Sequence, residues 1–245
     1  FMSALPLNLI IFSTTMGHGG RHTYKETVEG LLDQIDSSVF KNKVLHLKSR
    51  EGENDVADEI KSFCSDLDIR VIETKEDIVH HTESHNSHSA GYYKDIFKAY
   101  SDPKIKKEKY TLWLEDDWVI KSELCLEDVF KESIEFLEEN PNQICVRFND
   151  DINQNIDCLN SLKEKGNLYT QAINYSIWGP TFTFQPNINR TEQIYNAWER
   201  GQEHLDSLGK YHCELLSGGL LRLFTDSAVP YSFFDPKKIH AKHIG

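Results

Sequence analysis

Basic residues are in short supply: 27 Lys and Arg stand against 39 Asp and Glu, a formal net charge of -12. Duplex nucleic-acid binding draws much of its affinity from neutralising phosphates, so this balance argues against it, while leaving room for a local site for one small phosphate ligand. The five cysteines, Cys64, Cys125, Cys145, Cys158 and Cys213, are odd in number, widely spaced and contain no CxxC pair. That speaks against a disulfide framework or structural zinc and makes a reducing, cytoplasmic setting the expectation. No apolar run reaches membrane-spanning length. The longest early one, Leu5 to Phe12, lacks a basic flank and is followed by Ser13, Thr14 and Thr15, so it reads as a buried strand and not as a signal peptide. Internal repeats, low-complexity blocks and Gly/Ser linkers are also missing.

What is present is an ordinary globular composition, 39% hydrophobic and 27% charged over 245 residues, enough for one sizeable core. Apolar runs at Leu7 to Ser13, Lys43 to Leu47, Ile69 to Glu73, Tyr110 to Leu114 and Ile144 to Phe148 alternate with amphipathic stretches. The helical patterns cover Tyr24 to Ile35, Asp55 to Cys64, a stretch around Ala90 to Tyr100, and Leu126 to Glu139. This alternation predicts an α/β domain with a largely parallel sheet and crossover helices. After Asn149 the texture turns polar and Asn-rich. Strand-like stretches follow at Tyr169 to Trp178, Thr181 to Phe184 and Ala228 to Phe234, with helices near Thr191 to Leu208 and His212 to Phe224. The expected organisation is one domain over 1–245, with a nucleotide-binding first half to about 149 and a variable second half beyond.

The motif that demands an explanation is "LWLEDDWVI", in which Glu115, Asp116 and Asp117 sit inside an apolar run. Uncompensated carboxylates in such a setting cost several kcal/mol each or lose their charge. Strand alternation sends Glu115 and Asp117 to one side and Asp116 to the other. In an open α/β sheet, ligands sit beyond the carboxyl ends of the strands. Carboxylates there can hold a hard divalent cation that in turn holds phosphates.

Three further stretches carry candidate residues. "IIFSTTMGHGGRHTY" is a strand running into a Gly-rich loop that fits neither GxGxxG nor a Walker loop. Its Gly17, Gly19 and Gly20 permit close backbone approach, and Arg21 is placed to face an anion. "HHTESHNSHSAGYY" would bring His81, His85 and His88 onto one helical face. A zinc site needs a third or fourth ligand and groups that orient them, so this stretch reads as a polar helix start. "YSIWGPTFTF" exposes aromatics around a Gly-Pro turn, and Trp178 and Trp118 are candidates to stack on a ligand ring.

"LWLEDDW" resembles the Asp-x-Asp type motif of GT-A fold glycosyltransferases, here in Glu-Asp-Asp form. From "YTLWLEDDWVI" through "PNQICVRFNDD" the chain most resembles the N-acetylglucosaminyltransferase I group, with family 2 enzymes matched elsewhere in element order. The resemblance implies a GT-A (Rossmann-like), mostly parallel central sheet with flanking helices and a smaller acceptor-side β-region. It implies a Mn²⁺- or Mg²⁺-dependent transferase moving a sugar from a nucleotide-sugar donor, a UDP-sugar favoured, to a hydroxyl of a glycan or other acceptor, with inversion. By the same resemblance Asp117 is the metal ligand, and Glu115 and Asp116 contact the donor's ribose or sugar. Ser13, Thr14 and Arg21 cradle the nucleoside, with Arg50 and Lys94 as further donor contacts. His243 in "IHAKHIG" completes the metal or diphosphate site, with His240 as its competitor. Glu214 in "HCELLSGGLLRLF" is the base that takes the acceptor hydroxyl's proton, although Leu215 stands where a second acid is usual, leaving Asp226 and Asp151 as alternatives. Two other readings stay open: a nucleotidyltransferase making activated sugars, and a non-catalytic carbohydrate-binding module of degenerate GT-A ancestry.

Overall fold

The structure, a computed structural model of the chain, describes residues 4–17, 21–76, 95–148, 163–171, 185–202, 231–235 and 237–244. Its first half is a run of strand and helix. β1 (Leu7–Thr14) leads to α1 (Tyr24–Leu32), β2 (Asn42–Arg50) to α2 (Asn54–Asp66), and β3 (Arg70–Glu76) precedes helical residues 95–100, α3. β4 (Tyr110–Glu115) follows, then β5 (Trp118–Ser122), α4 (Leu126–Glu139) and β6 (Cys145–Arg147). The remainder supplies β7 (Lys163–Lys165), β8 (Leu168–Gln171), β9 (Asn187–Arg190), α5 (Thr191–Gln202), β10 (Tyr231–Phe234) and β11 (Ile239–His243).

Nine strands form one sheet in the order β3-β2-β1-β4-β9-β6-β10-β8-β7. β3, β2, β1 and β4 pair in parallel, as do β6 and β10, and the antiparallel pairings leave only β8 and β9 running against the other seven. Central parallel strands are covered on both faces and therefore read as continuous apolar runs. β1, LNLIIFST, is buried from Leu7 through Ser13. One face carries Leu9, Ile11, Leu45, Leu47, Leu112 and Leu114 against α1, α2 and α4. The other carries Ile10, Phe12, Val44 and Trp113 against α3 and α5.

The helices follow from spacing. α4 buries Leu126, Val129, Phe130, Ser133, Ile134 and Leu137, one stripe at helical period, and its first turn holds Glu127 and Asp128, favourable to the helix dipole. Among the described residues no helix is long and apolar enough to cross a membrane.

Two features depart from the sequence expectation. β9 is an unforeseen strand inserted antiparallel between β4 and β6. β5 and β11 form a separate two-stranded antiparallel ribbon, with His243 opposite Trp118 and His240 opposite Lys121. α1 and the turn after it support that ribbon: Gln34 Nε2 donates to the Ile120 carbonyl at 2.8 Å, and a β-carbon on Gly30 would lie 3.4 Å from Val119 Cγ1.

Candidate functional site

The carboxyl ends of β1, β2 and β4 lie side by side, and the registers Phe12 opposite Glu115 and Thr14 opposite Lys48 fix their relative heights. Phe12 stacks on His46 at 5.4 Å between centroids and on Trp113 at 6.5 Å, which puts these three side chains on the α3/α5 face. Counting two residues onward, alternation sends Thr14, Lys48, Arg50 and Glu115 to that same face at the strand ends. Thr14, Arg50 and Glu115 are each half-buried. Lys48, which sequence reasoning passed over, is nearly buried and pairs with Asp95 of α3 at 3.4 Å. The available signal was parity: in "LHLKSR" Lys48 lies two residues before Arg50 and so shares its face.

His46 below them is fully buried and held neutral: burial first, and then the Lys98 and Lys48 charges, push its pKa down to about 3. Its Nε2 lies 3.4 Å from Thr74 Oγ1, and its Nδ1 has no hydrogen-bond partner among the described residues.

Asp116 belongs to the opposite face. Strand β4 ends at Glu115, and Asp116 and Asp117 form a two-residue turn into β5. The Asp116 N–H donates to the Phe12 carbonyl at 2.9 Å, its Oδ2 accepts from Ser13 Oγ at 2.5 Å, and its carbonyl accepts from Thr27 Oγ1 of α1 at 2.8 Å. Ser13 and Asp116 are both buried. These two sequence-predicted donor contacts therefore meet each other.

Asp117 turns toward the ribbon. Its side chain is 4% exposed, and His243 Nε2 lies 2.7 Å from its Oδ2. The strand carrying His243 is tied to the same residue through the Ile244 N–H, which donates to the Asp117 carbonyl at 2.8 Å. Trp118 sets the edge of the pair, its ring 5.1 Å from that of His243 in a T-shaped contact, and packs against the core under α1. Of the two competing histidines, the structure brings His243 to the acids; His240 sits three residues back along β11, opposite Lys121.

Gly17 and Arg21, which flank the amino-terminal loop, lie against each other. Gly17 has φ +61°, and a β-carbon there would lie 2.3 Å from the Arg21 carbonyl oxygen, so its close approach is to its own chain. Thr15 links β1 to β2: its N–H donates to the Lys48 carbonyl at 3.0 Å, its Oγ1 accepts the Arg50 N–H at 3.0 Å, and its hydroxyl donates to Glu53. Arg21 meets an anion within the chain, Glu26 at 2.6 Å, and reaches the Ile244 carbonyl at 3.5 Å, beside His243.

The sequence-predicted residues thus fall into three adjacent groups. Thr14, Arg50 and Glu115 share the α3/α5 face, Ser13 and Asp116 pair on the other, and Asp117, His243, Trp118 and Arg21 line the rim at the ribbon. Lys94, Trp178 and Glu214, together with the histidines of 80–88, Asp151 and Asp226, lie outside the described residues. Among the described residues no group of three His, Cys, Asp or Glu converges on one point. The Asp117–His243 pair supplies one carboxylate oxygen and one imidazole nitrogen. Adjacent vertices of an octahedral site with bonds of about 2.0–2.1 Å are roughly 2.9 Å apart, close to the spacing of these two atoms. Magnesium-type sites take one or two protein ligands and leave the rest to water and phosphate, and manganese accepts imidazole beside carboxylate. The donor set fits such an ion.

No protein-family model matches the sequence, and comparison with curated proteins returns no match. Solved structures do resemble it. Core-mannan synthase A from Aspergillus fumigatus, in a Mn/GDP form, gives a TM-score of 0.51 at 14% identity, over 99% of this chain and 75% of that one. GalNAc-T7, solved with UDP, GalNAc and Mn²⁺, gives 0.60 at 9% identity, over 99% of this chain and 44% of that one. The chain therefore spans three quarters of the first protein and under half of the second. At such identities the likeness establishes architecture: this chain has the GT-A fold, an α/β sheet of mostly parallel strands with flanking helices. The narrower resemblance to the N-acetylglucosaminyltransferase I group rests on the sequence from Tyr110 to Asp151.

Proposed function

We propose that the chain is a metal-dependent glycosyltransferase that moves a sugar from a nucleotide-sugar donor to an acceptor hydroxyl. The observation that carries this reading is the buried Asp117 carboxylate, held at the carboxyl edge of β4 with the His243 imidazole 2.7 Å away. The two solved structures hold Mn with GDP and Mn²⁺ with UDP, which supports a nucleoside diphosphate as the leaving group.

In this reading Asp117 and His243 bind Mn²⁺ or Mg²⁺. When bound, the cation neutralises charge on the departing nucleoside diphosphate. Thr14, Arg50 and Glu115 contact the donor on the α3/α5 face, with Lys94 as a further contact and Lys48 added by its place beside them. Arg21 lies at the diphosphate side of the rim, and Trp118, with Trp178, faces the acceptor. Glu214 takes the acceptor hydroxyl's proton opposite the leaving group, giving inversion; this role rests on its motif. A UDP-sugar is the favoured donor.

The experiment is a transfer assay with a panel of nucleotide sugars, with and without Mn²⁺, on the intact protein and on Asp117→Ala and Glu214→Gln. Asp117→Ala is expected to lose transfer together with metal-dependent nucleotide binding. Glu214→Gln is expected to keep nucleotide binding and lose turnover by about a hundredfold or more, the scale of general-base catalysis. Pyrophosphate release from a nucleoside triphosphate would instead indicate nucleotidyl transfer. Full activity in either variant removes that residue from the mechanism.

A further inference from the structure

We infer that Asp116 is a positioning residue rather than a donor contact, and that Ser13 and Thr27 act through it to fix the turn on which Asp117 stands. The inference rests on the reading of Asp117 as a metal ligand and departs from the role that the motif's resemblance implies for Asp116. Three polar groups of one residue are bound by two different elements: the N–H and carboxylate by the end of β1, through the Phe12 carbonyl and Ser13 Oγ, and the carbonyl by Thr27 of α1. Ser13, Thr27 and Asp116 are all at most 2% exposed, on the face opposite Thr14, Arg50 and Glu115. The next residue, Asp117, meets the ribbon: its carbonyl accepts from Ile244 and its carboxylate faces His243. The anchorage of Asp116 fixes the turn from which the Asp117 carboxylate extends. A carboxylate-to-hydroxyl hydrogen bond can be replaced by an amide-to-hydroxyl one without changing shape, which gives the inference a sharp test.

The test measures Mn²⁺ affinity in the presence of UDP by calorimetry at 25 °C, together with amide hydrogen exchange at Asp116 and Ile244 in the metal-free protein. Loss of one buried hydrogen bond from the anchor is expected to weaken Mn²⁺ binding about fivefold in Ser13→Ala, Thr27→Val and Asp116→Ala. Asp116→Asn, whose amide oxygen still accepts from Ser13, is expected to recover most of what Asp116→Ala loses. Exchange at Asp116 and Ile244 should quicken in Ser13→Ala by more than exchange at the core amides of β1 and β2, the contrast that separates local loosening from global destabilisation. If Asp116→Asn is as damaging as Asp116→Ala while Ser13→Ala leaves affinity unchanged, Asp116 is a direct ligand and the inference is overturned. If the unaltered protein takes up no Mn²⁺, the metal reading of Asp117 fails on its own. The exchange measurement still decides the anchor in that case: faster exchange in Ser13→Ala supports it, and unchanged exchange overturns it.

Discussion

At the scale of single residues, the three acids that open the question meet three different surroundings. Glu115 is half-buried at the strand end, Asp116 is bonded to Ser13, and Asp117 faces His243. The buried Asp116 carboxylate meets a hydroxyl and the buried Asp117 carboxylate an imidazole, which is how a polar group survives in an apolar setting. Two residues away from this chemistry make separate predictions. His46 is neutral in the fold and titrates near 3, whereas in the unfolded chain it titrates near 6.5. Below pH 6.5 the unfolded chain binds a proton that the folded chain refuses, so stability is lost as pH falls from 6.5 toward 3. Between pH 7 and pH 5 the expected loss is about 2 kcal/mol, absent from His46→Phe, as measured by denaturant unfolding of both proteins at the two values. An identical pH dependence in the two would contradict the assignment. Gly17→Ala must place a methyl group 2.3 Å from the Arg21 carbonyl at φ +61°. It is expected to cost about 1–3 kcal/mol, and an unchanged unfolding midpoint would contradict that.

At the scale of elements, the ribbon of β5 and β11 is what brings the two ends of the site together, since Asp117 and His243 are 126 residues apart in sequence. Ala241 is fully buried in β11 opposite Ile120. Ala241→Asp puts an unpaired charge there and is expected to separate the strands, at a cost of several kcal/mol to the local pairing. Mn²⁺ affinity should then fall at least tenfold, as it should in His243→Ala; retention of full affinity in either variant would show that β11 does not complete the site.

The same elements show what could be read beforehand. β1 to β4, α1, α2 and α4 were legible because buried parallel strands write continuous apolar runs and α4 writes a clean helical stripe. β9 was not, because "NINR" has the composition of a turn. Asn187 and Asn189 are nevertheless buried, with Asn189 Nδ2 donating to Asn187 Oδ1 at 2.9 Å and Tyr100 donating to Asn189. Side-chain partners supplied by the tertiary fold overrode propensity. The acid motif and His243 were singled out from sequence, but the division of labour between Asp116 and Asp117 depends on Ser13 and Thr27, over 80 residues away. Arg21 was read as facing a ligand anion, yet Glu26, five residues on, already meets it. Its proximity to Ile244 could not be foreseen without the ribbon.

At the scale of the whole molecule, a GT-A sheet places the ends of β1, β2 and β4 at one edge, where Arg21 pairs with Glu26 and Lys48 with Asp95 beside Glu115, Asp116 and Asp117. Acids outnumber bases at such an edge, so an anionic ligand there calls for a cation. The central claim is that Asp117 holds a divalent cation on which a nucleoside diphosphate sits. It is tested most directly by thermal shift with a panel of nucleoside diphosphates and nucleotide sugars, with and without Mn²⁺, on the intact protein and on Asp117→Ala. The account predicts a Mn²⁺-dependent upward shift for one nucleotide that disappears in Asp117→Ala. An equal shift in that variant, or no shift with any nucleotide under either condition, would contradict it.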